Sequence, residues 1–206
     1  MEDYLESLII DLGADEMIIC LTDDENFRKS ILPTYKANRD NVPRPYLLKH
    51  LKEVMERDYT TYKRPGLEAD DCLGILLTHP KLITGEKVCV SNDKDMKSLP
   101  GKHAHLSDRT VFEVSQEDAD YWHMYQTLIG DSTDNYAGCP GVGPVKAEKI
   151  LSGTDKTVPA MWEAVVEAYT KAKLSEEEAL IQARVARILR YTDYNFKTKE
   201  PILWKP

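Results

Sequence analysis

Lys87-Val88-Cys89-Val90-Ser91-Asn92-Asp93-Lys94-Asp95 is the stretch on which the reading of this chain turns. A short apolar run rich in β-branched residues has the composition of a strand buried on both faces, and this one ends in a pair of aspartates. Met17-Ile18-Ile19-Cys20-Leu21 repeats the pattern and ends at Asp23 and Asp24. Between the two runs the apolar spacing becomes helical. Leu47, Leu48, Leu51, Val54 and Met55 predict an amphipathic helix with Lys49, Lys52 and Glu53 outside. After Pro65-Gly66, the segment Leu67 to Leu77 predicts another, whose first turn carries Glu68, Asp70 and Asp71. Strands separated by helices, each delivering acids at its C-terminal end, imply an α/β fold with a mostly parallel sheet flanked by helices, because ligands of such sheets sit beyond those ends.

Working outward, Leu5, Leu8, Ile9 and Leu12 predict a helix over Tyr4 to Leu12 that stops at Gly13. Alternation in Thr110-Val-Phe-Glu-Val114 predicts a further strand. From Ser115 onward the pattern is helical. Ser115 with Asp118 three residues on opens a helix that stops at Gly130, and further helices are expected over Val145 to Leu151, Pro159 to Ala172 and Glu176 to Tyr191. The expected organisation is an α/β core over 1–114, with a basic, proline-broken segment at about 26–64, and a helical part over 115–206.

Three acidic clusters stand out: Glu68, Asp70 and Asp71; Asp93 and Asp95; Asp131 and Asp134. Acids in a helix's first turn are also ordinary dipole partners, but three in four residues exceed what a cap requires. If the fold gathers the clusters, their charges repel strongly and call for divalent cations. Hard oxygen donors with few histidines or thiolates suit Mg²⁺ or Mn²⁺, ions that commonly serve phosphate chemistry.

The chain has 206 residues and a formal net charge of −8, an unpromising total for a nucleic-acid binder. The total hides an asymmetry: between Asn26 and Arg64 basic residues outnumber acidic ones, a distribution that suits either a phosphate-holding segment or a solvated helix face. Cys20, Cys72, Cys89 and Cys139 are widely spaced without a C-x-x-C pair and are expected as free, mostly buried thiols in a cytoplasmic protein. No apolar stretch approaches the ~20 residues of a membrane span. His79, His103, His105 and His123 show no ligand spacing beyond one H-x-H, and Tyr121, Trp122 and Tyr125 are expected in the core.

Phe27-Arg28, Tyr35-Lys36-Ala-Asn-Arg39, GLEADD, SNDKDM, Gly130-Asp-Ser-Thr-Asp-Asn135 and Gly138-Cys-Pro-Gly-Val-Gly143 occur in one order, and together they resemble the 5′-nuclease family. That family comprises flap endonucleases, the 5′-nuclease domain of bacterial DNA polymerase I and phage 5′→3′ exonucleases; the length and ending look most like the last. The resemblance implies a divalent-metal-dependent hydrolase acting on DNA with a 5′ end or flap, holding two or more Mg²⁺ or Mn²⁺ ions. Asp23, with Asp24 as a rival, Glu68, Asp70, Asp71, Asp93, Asp95, Asp131 and Asp134 would hold the ions. Lys36 and Arg39 match basic residues at the base of a helical arch that engage the scissile phosphate. Arg28 and Tyr35 are implied on the DNA side. Residues 130–151 resemble a helix–three-turn–helix element that grips duplex backbone through Gly141, Gly143, Lys146 and Lys149, and that in the family also takes K⁺.

One implied feature is missing: family members start with a strand bearing an early aspartate, followed by a helix. The resemblance therefore leaves two readings, a nuclease completed by a preceding segment or partner chain, and a catalytically impaired DNA-binding fragment.

Overall fold

The computed structural model describes residues 2–206. In chain order the elements are α1 (Glu2–Leu12), β1 (Ile19–Cys20), α2 (Arg28–Ile31), α3 (Leu48–Asp58), β2 (Thr61–Tyr62), α4 (Ala69–Thr78), β3 (Val88–Val90), β4 (Gly101–Ala104), β5 (Val111–Val114), α5 (Gln116–Ile129), α6 (Pro144–Ser152), α7 (Val158–Lys171), α8 (Glu176–Ala186), β6 (Tyr194–Asn195) and β7 (Glu200–Pro201). Both apolar runs that end in acids are strands. Each has a parallel neighbour that the periodicity does not signal: β1 pairs with β2, and β3 with β4. β5 returns antiparallel on β4. The chain is α/β, but the expected sheet is divided, because β1–β2 and β3–β4–β5 are separate hydrogen-bonded units.

α4 sits against both strands that carry acids at their ends, and it places its own acidic first turn beside theirs. Its apolar residues Cys72, Ile75, Leu76 and Leu77 are buried, with Leu67 just before them. Gly74 is needed for this fit, since a Cβ there would stand 2.3 Å from the Leu189 carbonyl oxygen. A second core lies among α5, α6, α7 and α8 and is filled by Met124, Leu128, Leu151, Met161, Val165 and Tyr169. α3 has the predicted amphipathic pattern yet buries none of its residues, and Leu48 and Leu51 stay 36% and 38% exposed. No described helix is long and apolar enough to cross a membrane.

α8 stops at Ala186, short of the expected Tyr191. The reason is a competing set of partners for the next backbone groups. The buried Arg28 guanidinium donates to the carbonyls of Val185 (2.9 Å) and Arg187 (2.6 Å), and the Leu189 amide donates to Asp71 (3.1 Å). Arg28 also forms a two-pronged pair with Asp71, at 2.7 Å on both prongs. One side chain thus ties α2, the start of α4 and the chain after α8 into one knot. Leaving one partner of a buried ion pair uncompensated is expected to cost about 3–5 kcal/mol. Arg28→Ala should lower the urea midpoint accordingly, whereas an unchanged midpoint would show the knot to be dispensable.

Candidate metal centre and nucleic-acid interface

The site begins at the start of α4. Glu68 accepts from Arg28 (3.3 Å), from the Tyr35 hydroxyl (2.8 Å) and from the Lys36 ammonium. Burial alone would push its carboxyl up, but Arg28 and Lys36 hold it below its ordinary value. Lys36 reaches Asp134 as well (3.4 Å), as does the Tyr35 hydroxyl (3.0 Å), so the first and last acidic clusters share partners. Arg39 reaches Asp134 at 2.7 Å with its guanidinium half exposed.

The second cluster follows β3. Asp93 accepts from the Asp95 amide at 2.9 Å and starts a short 3₁₀ turn, Lys94–Ser98. Asp95 accepts from Gln126 of α5 at 2.6 Å, and Lys94 pairs with Asp131 at 3.0 Å. The loop that carries Asp131 and Asp134 closes on itself. Gly130 and Gly138, both at positive φ, lie so close that a Cβ on Gly138 would be 2.3 Å from the Gly130 nitrogen. The Asp131 side chain accepts the Thr133 amide at 2.7 Å. Against the burial that would raise it, Lys94 and that amide hold Asp131 below its ordinary value.

Asp70 and Asp95 carry the electrostatic signature of the centre. Burial, reinforced by Glu68, Asp71 and Asp93, pushes Asp70 up to about 7. Burial, reinforced by Asp93 and opposed by Lys94, pushes Asp95 up to about 6, with Asp131 and Asp134 adding to the rise. Asp93 acts on both, so the three sequence clusters form one region of mutual repulsion. Among the described residues, no three acidic, histidine or cysteine side chains converge as a finished metal cage. Lys36, Arg39 and Lys94 lie among the carboxylates instead. A set of hard oxygens with two protons held to unusually high pH fits divalent cations, which would relieve the repulsion.

Comparison with known proteins identifies the family. The family described as 5′-3′ exonuclease, N-terminal resolvase-like domain, matches residues 2–126. The exonuclease of Escherichia phage T7 is 32% identical over 92% of this chain and 74% of its own length. The chain belongs to the 5′-nuclease family, whose members are nuclease hydrolases. The flap endonuclease Xni of Vibrio campbellii is 34% identical over 86% of this chain and 74% of its own length. In fold, the phage T5 D15 protein, co-crystallised with metal ions, superposes with a TM-score of 0.67 at 19% identity, over 89% of this chain and 80% of its own. The T5 5′-exonuclease with bound zinc superposes with a TM-score of 0.69 at 20% identity, over 90% of this chain and 80% of its own.

Within this 5′-nuclease the residues expected at the site divide. Glu68, Asp70, Asp93, Asp95, Asp131 and Asp134 come together. Asp71 does not offer a ligand face: it is fully buried and accepts from both Arg28 prongs, the Glu68 amide and the Leu189 amide. Asp23 caps the Gly66 amide (2.9 Å) and pairs with Lys63 (3.4 Å) at the end of β1, with none of the six gathered acids among its partners. Asp24 is exposed. Arg28 and Tyr35, expected on the DNA side, are each 2% exposed and hold carboxylates instead, for only burial lets Arg28 satisfy so many acceptors at once. Sequence reasoning missed Lys94 and Gln126. Lys94 lies between two predicted ligands, a position that could have drawn attention, whereas Gln126 carries no local signal. Gly141, Gly143 and Lys146 lie exposed at the start of α6 and Lys149 lies exposed in its last turn, and Lys146 donates to the Gly141 carbonyl at 2.7 Å.

The pH dependence has a definite sign. Asp70 and Asp95 are raised above their ordinary 3.8, so their contribution to stability is complete below that value and is lost as pH rises through about 6 to 7. A divalent ion favours the ionised forms and should restore stability over the same interval. The Mg²⁺-induced rise in Tm should therefore be small near about pH 5 and grow through about pH 7, and Asp70→Asn should flatten the profile. An equal Mg²⁺ effect at both ends would contradict the gathering of the acids.

Proposed function

We propose that this chain is a divalent-metal-dependent 5′→3′ exonuclease or structure-specific 5′ nuclease that hydrolyses DNA phosphodiesters. The observation carrying this reading is the single repulsive group formed by Asp70, Asp93 and Asp95 with Glu68, Asp131 and Asp134, bordered by Lys36 and Arg39. Those six acids would hold two or more Mg²⁺ or Mn²⁺ ions. Bound there, the ions supply Lewis-acid chemistry to water and to phosphoryl oxygens, and no protein nucleophile is required. Lys36 and Arg39 present cations at the edge of the centre, where a phosphate can exchange with Glu68 and Asp134 as their partner. Arg39's planar fork suits bidentate contact. Tyr35 orients Glu68 and Asp134 together.

The segment 130–151 is assigned to duplex backbone. Gly141 and Gly143 leave amides accessible, α6 directs its N-terminus outward, and Lys146 and Lys149 add charge without reading bases. K⁺ would bind at the Gly141 carbonyl, in competition with the Lys146 ammonium. The division into an α/β core over 1–114 and a helical, DNA-gripping part over 115–206 belongs to the same proposal. So does a further strand, from a preceding segment or a partner chain, between β1 and β3. Both strands lie at sheet edges and against α4, and the Cys89 thiol is close enough to act on Cys20. Fast amide exchange at Val88 and Val90 in the chain alone is expected, and strong protection there would contradict an open slot.

Nucleotide release from a 5′-labelled duplex should require Mg²⁺ or Mn²⁺ and be abolished by Asp93→Ala. Lys36→Ala should lower kcat by about 10²–10³, the order seen when one preorganised charge-stabilising donor is removed, while DNA affinity changes little. Release that persists in excess chelator would overturn the reading. The divided sheet favours one alternative, a catalytically impaired DNA-binding fragment. That alternative predicts salt-sensitive binding without turnover at any Mg²⁺ concentration, so measurable cleavage by the pure chain eliminates it.

A further inference from the structure

α5 presents a second surface on the side facing α6, one that the metal centre does not use. Tyr121, Trp122, Tyr125, Val145, Glu148 and Lys149 line an open groove of about 590 Å³, within the size range of small-ligand sites. The sequence expectation of three core aromatics holds for Tyr125, which is 8% exposed, but Tyr121 and Trp122 are only half-buried. Their rings stack on Tyr125 at 6.4 and 5.1 Å between centroids, with interplanar angles of 17° and 23°, and so form a continuous aromatic shelf. The Val145 side of the groove is apolar and 80% exposed.

Cations border the shelf. Lys97 places its ammonium 5.0 Å from the Trp122 ring centre, and Lys149 is one of the groove's lining residues. Neither makes an ion pair among the described residues, unlike Lys156, which pairs with Glu117 at 3.2 Å, and Lys94, which pairs with Asp131. Burial and the Glu148 carboxylate push the Tyr121 and Tyr125 hydroxyls up, so both stay protonated and able to donate. The shelf also adjoins the acidic centre. Trp122 lies one helical turn, roughly 5.4 Å of rise, before Gln126, which holds Asp95 at 2.6 Å.

We propose that this groove binds single-stranded nucleotides of the nucleic-acid substrate adjacent to the phosphodiester at the acidic centre. Bases stack on Tyr121, whose ring continues the stack of Trp122 and Tyr125, and a flanking phosphate meets Lys97. This deepens the nuclease reading and rests on it. The chemistry selects unpaired strand over duplex, because a duplex keeps its base faces inside the stack while a single strand offers them to aromatic side chains. Lysines at the groove's border without an ion pair among the described residues select a polyanion over an apolar peptide.

The test measures binding of a short single-stranded oligodeoxynucleotide and of a blunt duplex of equal length by fluorescence anisotropy. Tyr121→Ala and Lys97→Gln should each weaken single-strand binding by about tenfold, the order of one lost stacking or phosphate contact, and leave the duplex within about twofold. Independently of any variant's folding, an oligonucleotide carrying 5-iodouracil should photocross-link to the peptide containing Tyr121, Trp122 and Tyr125. Cross-links confined to other segments, or single-strand affinity indifferent to both substitutions while the chain still cleaves duplex with Mg²⁺, would overturn the groove alone. Failure to bind either nucleic acid and failure to cleave would overturn the nuclease reading together with it.

Discussion

The buried pair between Arg28 and Asp71 is the interaction on which the rest of this molecule depends. A fully desolvated carboxylate is tolerable only when every lone pair is matched, and Asp71 achieves this with two guanidinium prongs and two backbone amides. Arg28 in turn gives its remaining donors to Glu68, to the Val185 carbonyl in the last turn of α8 and to the Arg187 carbonyl just after it. Opposite ends of the chain thus meet at the first turn of α4, and the helix that presents the acidic centre is fixed in position by them. An acid and a base that look like functional residues in the sequence are the frame of the site.

The frame makes a second, costlier arrangement possible. Glu68, Asp70, Asp93, Asp95, Asp131 and Asp134 are held in a region where burial and mutual repulsion keep two of them protonated well above the usual carboxylate range. Such an arrangement opposes folding unless cations offset it, and the protein's own Lys36, Arg39 and Lys94 do so in part. Each of these cations is paired with an acid of the centre, so the same contacts that offset the repulsion are the ones the proposed phosphate contact would exchange. The close Gly130–Gly138 contact serves the same end by pinning the loop that carries the last two acids.

Around this centre the charge is distributed by function. The chain's overall acidity is concentrated at the centre and on solvent-facing helices, whereas cations line the segment before α4, the start of α6 and the rim of the α5 groove. A polyanion can therefore approach a net acidic protein, because at physiological ionic strength only charges within about a Debye length of it are felt. The proposed surfaces for backbone, reacting phosphate and unpaired bases rest on that local arrangement and not on net charge.

The sequence by itself determined the α/β class, the strands at Ile19–Cys20 and Val88–Val90, nearly every helix and the order of the acidic motifs, because periodicity, caps and short motifs are local properties of the chain. The strands β2 and β4 escaped it, since Thr61–Tyr62 and Gly101–Ala104 take their extended form from a neighbour's edge and not from their own composition. Only the tertiary structure decided which acids share a site. Asp71 and Asp23 carry the same side chain as Asp70 and Asp95, but the former face donors that satisfy them, whereas the latter lie buried near other carboxylates, with Asp93 acting on both. It likewise decided that Arg28 is buried and that α8 ends early. Which partner a charged group finds depends on burial and on distances between residues far apart in the chain, and no local pattern encodes those.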